Sequence, residues 1–298
     1  MPKLVMPKLD WWPIDKVMLA YYGAALAVEL AFWSKLPHPD EMLLVHLAGI
    51  ALIFLAAAFS TNAVSRFFHH WYPLPYAAYC YREMSILIPA LRVGDADATL
   101  ARLDFAVWGA NPTIWLERLR SPLLAESLEI VYSLFVPAVL LIAFILWWQK
   151  RFYEFRYYAF LIAVGYLVSY VGYILVPARG PRFLFRSLQG YELHGLFLFD
   201  WLYTTLDQLE RAAYDCFPSG HTEMSILACW GARSIGRKLF FGMSAFTLGV
   251  IFATVYLRYH YTVDVLAGAL VAGALILIAP RVYRALGGDV RGKLAGDT

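Results

Sequence analysis

Two histidines stand at the mouths of apolar stretches, each beside residues suited to phosphate chemistry. The first, His221, closes the tetrapeptide Pro218-Ser219-Gly220-His221. Pro218 biases Phe217 toward an extended conformation, Ser219 is a good helix N-cap, and the apolar run from Met224 to Trp230 follows. Gly220, His221 and Thr222 are then expected in a first helical turn whose N–H groups lack intrahelical partners. Such a turn attracts an anion, and a histidine beside it exchanges a proton near neutral pH. The second, His260, lies four residues before Asp264, a spacing that puts both on one face of a helix. A carboxylate that accepts from one ring nitrogen fixes the tautomer and leaves the other nitrogen nucleophilic. Arg179 and Arg182, separated by Gly180-Pro181, offer forked donors that match phosphate oxygens. Arg258 is close enough in sequence to line the same mouth as His260.

Taken singly, each cluster also fits a plainer role: a capped helix start with an interfacial histidine, a Tyr-rich membrane belt around Tyr256, Tyr259 and Tyr261, and an arginine anchor for lipid headgroups. Combined, they make a phosphoryl-transfer site that requires no metal: anion donors, a nucleophilic His260 backed by Asp264, and His221 to protonate a leaving group.

The elements that carry these residues have to be membrane helices. Of the 298 residues, 61% are hydrophobic and only 16% charged, more apolar surface than a soluble domain of this size can hide. Apolar runs long enough to cross a bilayer occupy about 17–34, 42–60, 124–148, 156–176, 239–257 and 262–280. A shorter run, 219–234, begins at the His221 motif. The run 74–91 carries Arg82 and Glu83 and either crosses or lies in the interface. The expectation is an all-α integral membrane protein, a bundle of about 6 to 8 transmembrane helices. Between 239 and 280 no breaker is evident, yet one helix of that length would be about 60 Å long, twice the hydrocarbon thickness, so the chain must turn near 258–262.

Basic residues favour the cytoplasmic side of short loops. Lys150, Arg151 and Arg156, then Arg233, Arg237 and Lys238, then Arg281, Arg284, Arg291 and Lys293 assign three loops to that side. The segments 177–218 and 258–262 then share the opposite face with all three polar clusters; the expected location is a bacterial inner membrane with the site toward the periplasm. The first apolar run is followed by "FWSKLPHPDE" without a small-residue cleavage site and is expected to be an uncleaved anchor. A net charge of +3 without a dense basic block argues against nucleic acid. Cys80, Cys216 and Cys229 match no metal spacing and no disulfide framework; Cys216 reads as a small packing residue. The expected organisation is N-terminal anchor helices over 1–62, an interfacial connecting region over 63–123, a catalytic core over 124–284 and a cytoplasmic tail over 285–298.

The order and spacing of these motifs resemble the type 2 phosphatidic acid phosphatase superfamily of membrane lipid phosphatases and phosphotransferases. Its signature is Lys-x6-Arg-Pro, then Pro-Ser-Gly-His, then Ser-Arg-x5-His-x3-Asp. The second element is present in full at 218–221, the third matches at His260 and Asp264, and the resemblance covers about residues 120–280. It implies a six-helix phosphatase-type core without a cofactor. His260 would attack phosphorus to give a phosphohistidine, with Asp264 orienting it. His221 would protonate the leaving oxygen and then activate the acceptor, while Ser219 and the Gly220 amide hold phosphate oxygens. The implied partners are the bilayer, a lipid phosphate or phospholipid substrate, and an alcohol acceptor such as inositol or a lipid.

Two departures stand out. Ala253-Thr254 replaces the Ser-Arg of the third element, with Arg258 as a possible substitute, and the lysine of the first falls on Gly172 or Leu175. "GPRF", "YLRYHYTVDVLAG" and the upstream "LDFAVWGANPTIWLERL" (103–119), with Asp104, are similar to the branch that contains inositol phosphorylceramide synthases and their bacterial relatives. The long outer connection 183–217 is expected to act as a lid, with His194 and Asp200 on its surface. Three rivals are weaker: an intramembrane serine protease using Ser219 and His260, a metal site of His221, Glu223, His260 and Asp264, and a non-catalytic lipid transporter or scaffold.

Overall fold

A computed structural model describes residues 9–59, 62–91, 94–209 and 214–289. The helices are α1 (Pro13–Ala31), α2 (Pro39–Ala58), α3 (Ala63–Trp71), α4 (Pro73–Leu91), α5 (Asp97–Trp108), α6 (Pro112–Trp115), α7 (Pro122–Ser133), α8 (Phe135–Trp148), α9 (Phe152–Leu175), α10 (Pro181–Leu184), α11 (Phe199–Leu209), α12 (Gly220–Ile235), α13 (Arg237–Tyr256) and α14 (Thr262–Ala285). No strand occurs among the described residues. Residues 210–213 of the long connection 183–217 and the tail beyond 289, with Arg291 and Lys293, lie outside the described residues.

The all-α membrane fold is borne out. Four helices, α2, α9, α13 and α14, are long and apolar enough to cross a bilayer. The expected run 124–148 is not one straight helix: α7 and α8 meet at 41° and count as a fifth span if taken together. Pro137 explains the break, since it has no N–H to donate and its ring crowds the carbonyl four residues back, at Ser133. The run 17–34 falls on α1, in which Asp15, Lys16 and Glu29 interrupt the apolar sequence, and α4 carries Arg82 and Glu83. Prolines open α1, α2, α7 and α10, where the missing N–H is one that helix geometry leaves unpaired anyway.

The bundle is built around α9, which packs against α1, α4, α8, α12 and α14. Its most apolar stretch is 61% buried, against 28% in α2 and 22% in α14. It is therefore the interior helix, while α2 and α14 turn most of their apolar surface outward, as membrane helices do.

The helix ends that meet on one face are fixed by backbone and carboxylate contacts. Between α13 and α14 the expected turn is present: the Tyr259 and His260 N–H groups both donate to the Thr254 carbonyl, at 2.9 and 3.0 Å. The start of α12 is bound to that of α14 by the Ser219 N–H donating to the Asp264 carbonyl at 3.0 Å. A side chain at Gly268 would collide with the Ser219 carbonyl, so glycine there permits the close crossing.

Two carboxylates on one face of α5 dock that helix onto the same region. Asp97 accepts from the N–H groups of Arg179 and Gly180, both at 2.8 Å, and from the Tyr261 hydroxyl at 2.9 Å. Asp104 accepts from the Thr262 N–H and hydroxyl and from the Val263 N–H at 2.8–2.9 Å, capping α14. On the other side, Glu126 of α7 accepts from the N–H groups of Leu196, Phe197, Leu198 and Phe199 and fixes the start of α11.

Asp104→Ala leaves three donors at the start of α14 without their acceptor, and the expected loss is on the order of 1–3 kcal/mol of stability. Thermal unfolding in detergent checks this against Arg102→Ala on the exposed face of the same helix. Equal melting temperatures for the two variants would show that the cap contributes nothing.

Candidate active site

His260 lies in the turn ahead of α14 rather than on the helix, and it is 4% exposed. Its Nδ1 is 2.8 Å from the Cys216 carbonyl, whereas the Asp264 carboxylate is 3.7 Å away, beyond hydrogen-bond range. The expected tautomer therefore forms with a different acceptor: Nδ1–H donates to a main-chain oxygen. Among the described residues no hydrogen-bond partner reaches Nε2. The Asp264 carboxylate, fully buried, accepts instead from the Tyr261 N–H and from the Cys216 thiol, each at 2.8 Å. It keeps a negative charge close to the imidazole without touching it.

Cys216 is thus more than a packing residue. Burial, and then the adjacent Asp264 carboxylate, push its thiol well above the ordinary range, so it stays protonated and donates. Donor atoms of Cys216, His260 and Asp264 lie within 4.8 Å of one another, and hydrogen bonds among them and to neighbouring backbone already engage the Cys216 thiol, the His260 Nδ1–H and the Asp264 Oδ2.

His221 stands beside His260, with ring centroids 5.9 Å apart. Its ring stacks on Tyr132 of α7 at 4.3 Å, and the Tyr132 hydroxyl lies 3.4 Å from its Nδ1. Tyr132 in turn stacks on Tyr259 at 4.4 Å, and the Arg182 guanidinium lies over the Tyr259 ring at 5.1 Å. This aromatic column holds His221 in place and brings a cation to it. Arg182 also pairs with Asp207 of α11 at 3.1 Å. Burial opposes the Arg182 charge, but Tyr203, Tyr259 and Asp207 outweigh it and raise its pKa.

At the head of α12, Ser219 is the N-cap: its buried Oγ accepts from the Thr222 N–H at 3.3 Å. That engagement suits a structural hydroxyl and leaves a protease nucleophile without support. Among the described residues the Gly220 N–H meets no acceptor, as an anion site requires. Glu223 turns away from the histidines and accepts the Ser169 hydroxyl at 2.5 Å, which separates it from any metal set with His221 and His260.

The arginines divide. Arg182 joins the aromatic column. Arg179 is exposed, with its guanidinium over Phe183 at 4.2 Å. Arg258 has φ +67° and only 6% exposure. Its guanidinium is held by Glu117 at 3.0 Å, Gln189 at 3.1 Å and the Tyr191 carbonyl at 2.6 Å, so the structure does not present it to the histidines as a substitute for the absent motif arginine. The absent lysine also has a steric account. A side chain at Gly172 would run into Pro218, and Leu175 faces outward at 60% exposure. His194 is exposed and paired only with exposed Glu192 at 3.7 Å, as expected of loop surface.

Tyr132, Asp97 and Glu126 are the residues the sequence did not bring forward. The available signal was a carboxylate on the buried face of an amphipathic or apolar helix, which needs donors to be tolerated there. For Asp97, burial raises the pKa against the lowering effect of the Arg179 and Gly180 N–H groups.

Comparisons with known proteins find relatives of this chain. A PA-phosphatase related-family protein of Dictyostelium discoideum is 29% identical over 105 residues, which are 34% of this chain and 19% of that protein, so the match spans about a fifth of the relative's length. No solved structure matches. The family model of the PAP2 superfamily matches residues 98–278, starting upstream of the expected 120 and taking in nearly all of α5. Because that stretch exceeds half of the chain and contains the α12 cap, the His260 turn and the start of α14, the chain belongs to the PAP2 superfamily.

Proposed function

We propose that this integral membrane protein is a lipid phosphatase or lipid headgroup phosphotransferase that works through a phosphohistidine on His260 at the outer, periplasmic membrane face. The carrying observation is the His260 ring: Nδ1 is tied to a main-chain carbonyl at 2.8 Å, Nε2 has no hydrogen-bond partner among the described residues, and His221 lies 5.9 Å away between ring centroids. Superfamily membership supports the reaction class.

In the first step the Nε2 lone pair attacks phosphorus and the bond to the leaving oxygen breaks, with His221 supplying the proton that oxygen needs. The ring becomes cationic while Nδ1–H remains bonded to the Cys216 carbonyl. Asp264, 3.7 Å away, stabilises that charge electrostatically. In the second step water or an alcohol gives its proton to His221, its oxygen attacks phosphorus, and the P–N electrons return to Nε2. The Gly220 N–H and Arg182 are the donors for the phosphoryl oxygens. No step is assigned to a metal.

The α11 segment favours the transferase form. It is fixed by Glu126 at one end and by the Arg182–Asp207 pair further along, which suits a lid that limits water. "GPRF" and the Asp104-bearing upstream stretch support kinship with the inositol phosphorylceramide synthase-like branch, with a lipid phosphate or phosphodiester as donor and a polyol or lipid alcohol as acceptor.

His260→Ala is expected to abolish phosphate release from lipid phosphates, and headgroup transfer to added alcohols, by detergent-purified protein without added divalent metal. A variant that keeps wild-type rates would remove His260 from the mechanism. Arg182→Gln is expected to lower kcat/KM about 100-fold. Arg258→Gln should chiefly lower the melting temperature, and the reverse pattern would reinstate Arg258 as the phosphate ligand. Asp207→Asn frees the Arg182 guanidinium and should lower KM by about 2- to 5-fold with kcat little changed. A raised KM would instead make Asp207 part of the binding site.

A further inference from the structure

The turn that leads into α11 displays a run of apolar side chains that the described residues leave uncovered. Leu196 is 50% exposed, Phe197 89% and Leu198 48%, and Trp201 in the first turn of α11 is 63% exposed. A single exposed leucine is ordinary. Three successive apolar residues with a tryptophan beside them form a patch that calls for a partner.

The main chain under this patch is fixed. Glu126 of α7, itself buried, accepts the N–H groups of all four residues from Leu196 to Phe199 at 2.6–3.2 Å. A side chain at Gly195 would collide with the same carboxylate. On the inner side of α11, Phe199 is buried and stacks on Tyr203 at 5.8 Å. A backbone so held keeps Leu196, Phe197 and Leu198 directed away from the bundle.

The surroundings of the patch identify what covers it. Glu126 lies in the second turn of α7, and α7 and α8 together make a bent span. The outward side of that span carries Leu123, exposed in the first turn of α7, and then Val136, Leu141 and Phe144 at 46–49% exposure. The turn before α11 therefore continues a lipid-facing surface at its edge. Charge points the same way. From Ser187 to Leu209 the sequence has no Lys or Arg, so the segment holds no cation to attract anionic headgroups. Its side chains match acyl chains instead. Tryptophan favours the boundary between headgroups and acyl chains, and Trp201 follows Phe197 by four residues.

We propose that residues 196–201 are a membrane anchor: Leu196, Phe197 and Leu198 insert among the acyl chains of the leaflet that borders the histidine pair, and Trp201 sits at its headgroup boundary. The partner is the apolar part of a lipid surface, whatever the charge of its headgroups. Asp200, exposed beside Trp201, sets the limit of insertion, because a carboxylate stays in water. Since α11 also carries Asp207, paired with Arg182 at 3.1 Å, the anchor ties the depth of α11 in the bilayer to the arrangement of the site. The insertion itself holds whether or not His260 transfers phosphoryl groups.

The test reads position and needs no assay of activity. Cys80 and Cys216 are buried, and Cys229→Ser removes the partly exposed third thiol. In that background Phe197→Cys carries a polarity-sensitive fluorophore, with Glu192→Cys, whose side chain is 92% exposed, as the comparison site. Both positions are exposed, so substitution leaves the packing intact. The full-length protein is placed in phosphatidylcholine nanodiscs, with and without anionic lipid. At position 197 the expected emission is blue-shifted, quenched by nitroxide-labelled lipid, and several-fold less accessible to aqueous iodide than at 192, in both lipid compositions. Iodide quenching at 197 equal to that at 192, with no quenching by the lipid nitroxide, would place the turn in water and overturn the anchor. Shielding from both quenchers would assign the patch to a second copy of the chain. Lipid quenching seen only with anionic lipid would overturn insertion independent of headgroup charge.

Discussion

One buried residue, Asp264, joins the pieces on which the rest depends. Its carboxylate accepts from the Tyr261 N–H and the Cys216 thiol, and its carbonyl accepts the Ser219 N–H. Two segments distant in sequence, the loop before α12 and the turn that leads from α13 into α14, therefore meet on a single side chain and its own peptide. A carboxylate so enclosed is tolerated only with its donors in place. The fold that satisfies Asp264 is the one that sets His221 beside His260.

The rest of this face of the bundle extends the pattern. At three places where a helix end or loop would leave main-chain N–H groups unpaired, a carboxylate from another helix meets them: Asp97 at Arg179 and Gly180, Asp104 at the start of α14, Glu126 at the start of α11. In a bilayer protein such partners are close to obligatory, because no water supplies the missing bonds. The helices that cross the membrane need little beyond apolar length. The polar effort is concentrated where they stop.

That division decides what the sequence could disclose. Apolar runs announce α2, α9, α13 and α14 directly, and overlength forces the turn at 258–262. Pro218-Ser219-Gly220-His221 and the spacing of His260 and Asp264 are local patterns, legible because capping and helical periodicity act over a few residues. The hydrogen bond from His260 to the Cys216 carbonyl is not legible, since any residue carries a carbonyl and only the fold selects which one faces the ring. Arg258 misleads for a related reason: two positions from His260, its backbone at φ +67° turns the guanidinium toward Glu117, Gln189 and Tyr191. The bend at Pro137 was visible in the sequence and obscured by the length of the apolar run around it.

Under the proposed function, the position of His260 between the end of α13 and the start of α14 also sets how substrate is counted. A lipid headgroup would reach this turn from the leaflet that its own acyl chains occupy, so encounter would be a search in two dimensions. What saturates such a catalyst is the mole fraction of the lipid within the surface, not its amount per litre. Adding inert lipid at constant substrate would slow the protein as surely as removing substrate, and rates compared between micelles and vesicles have meaning only on that surface scale.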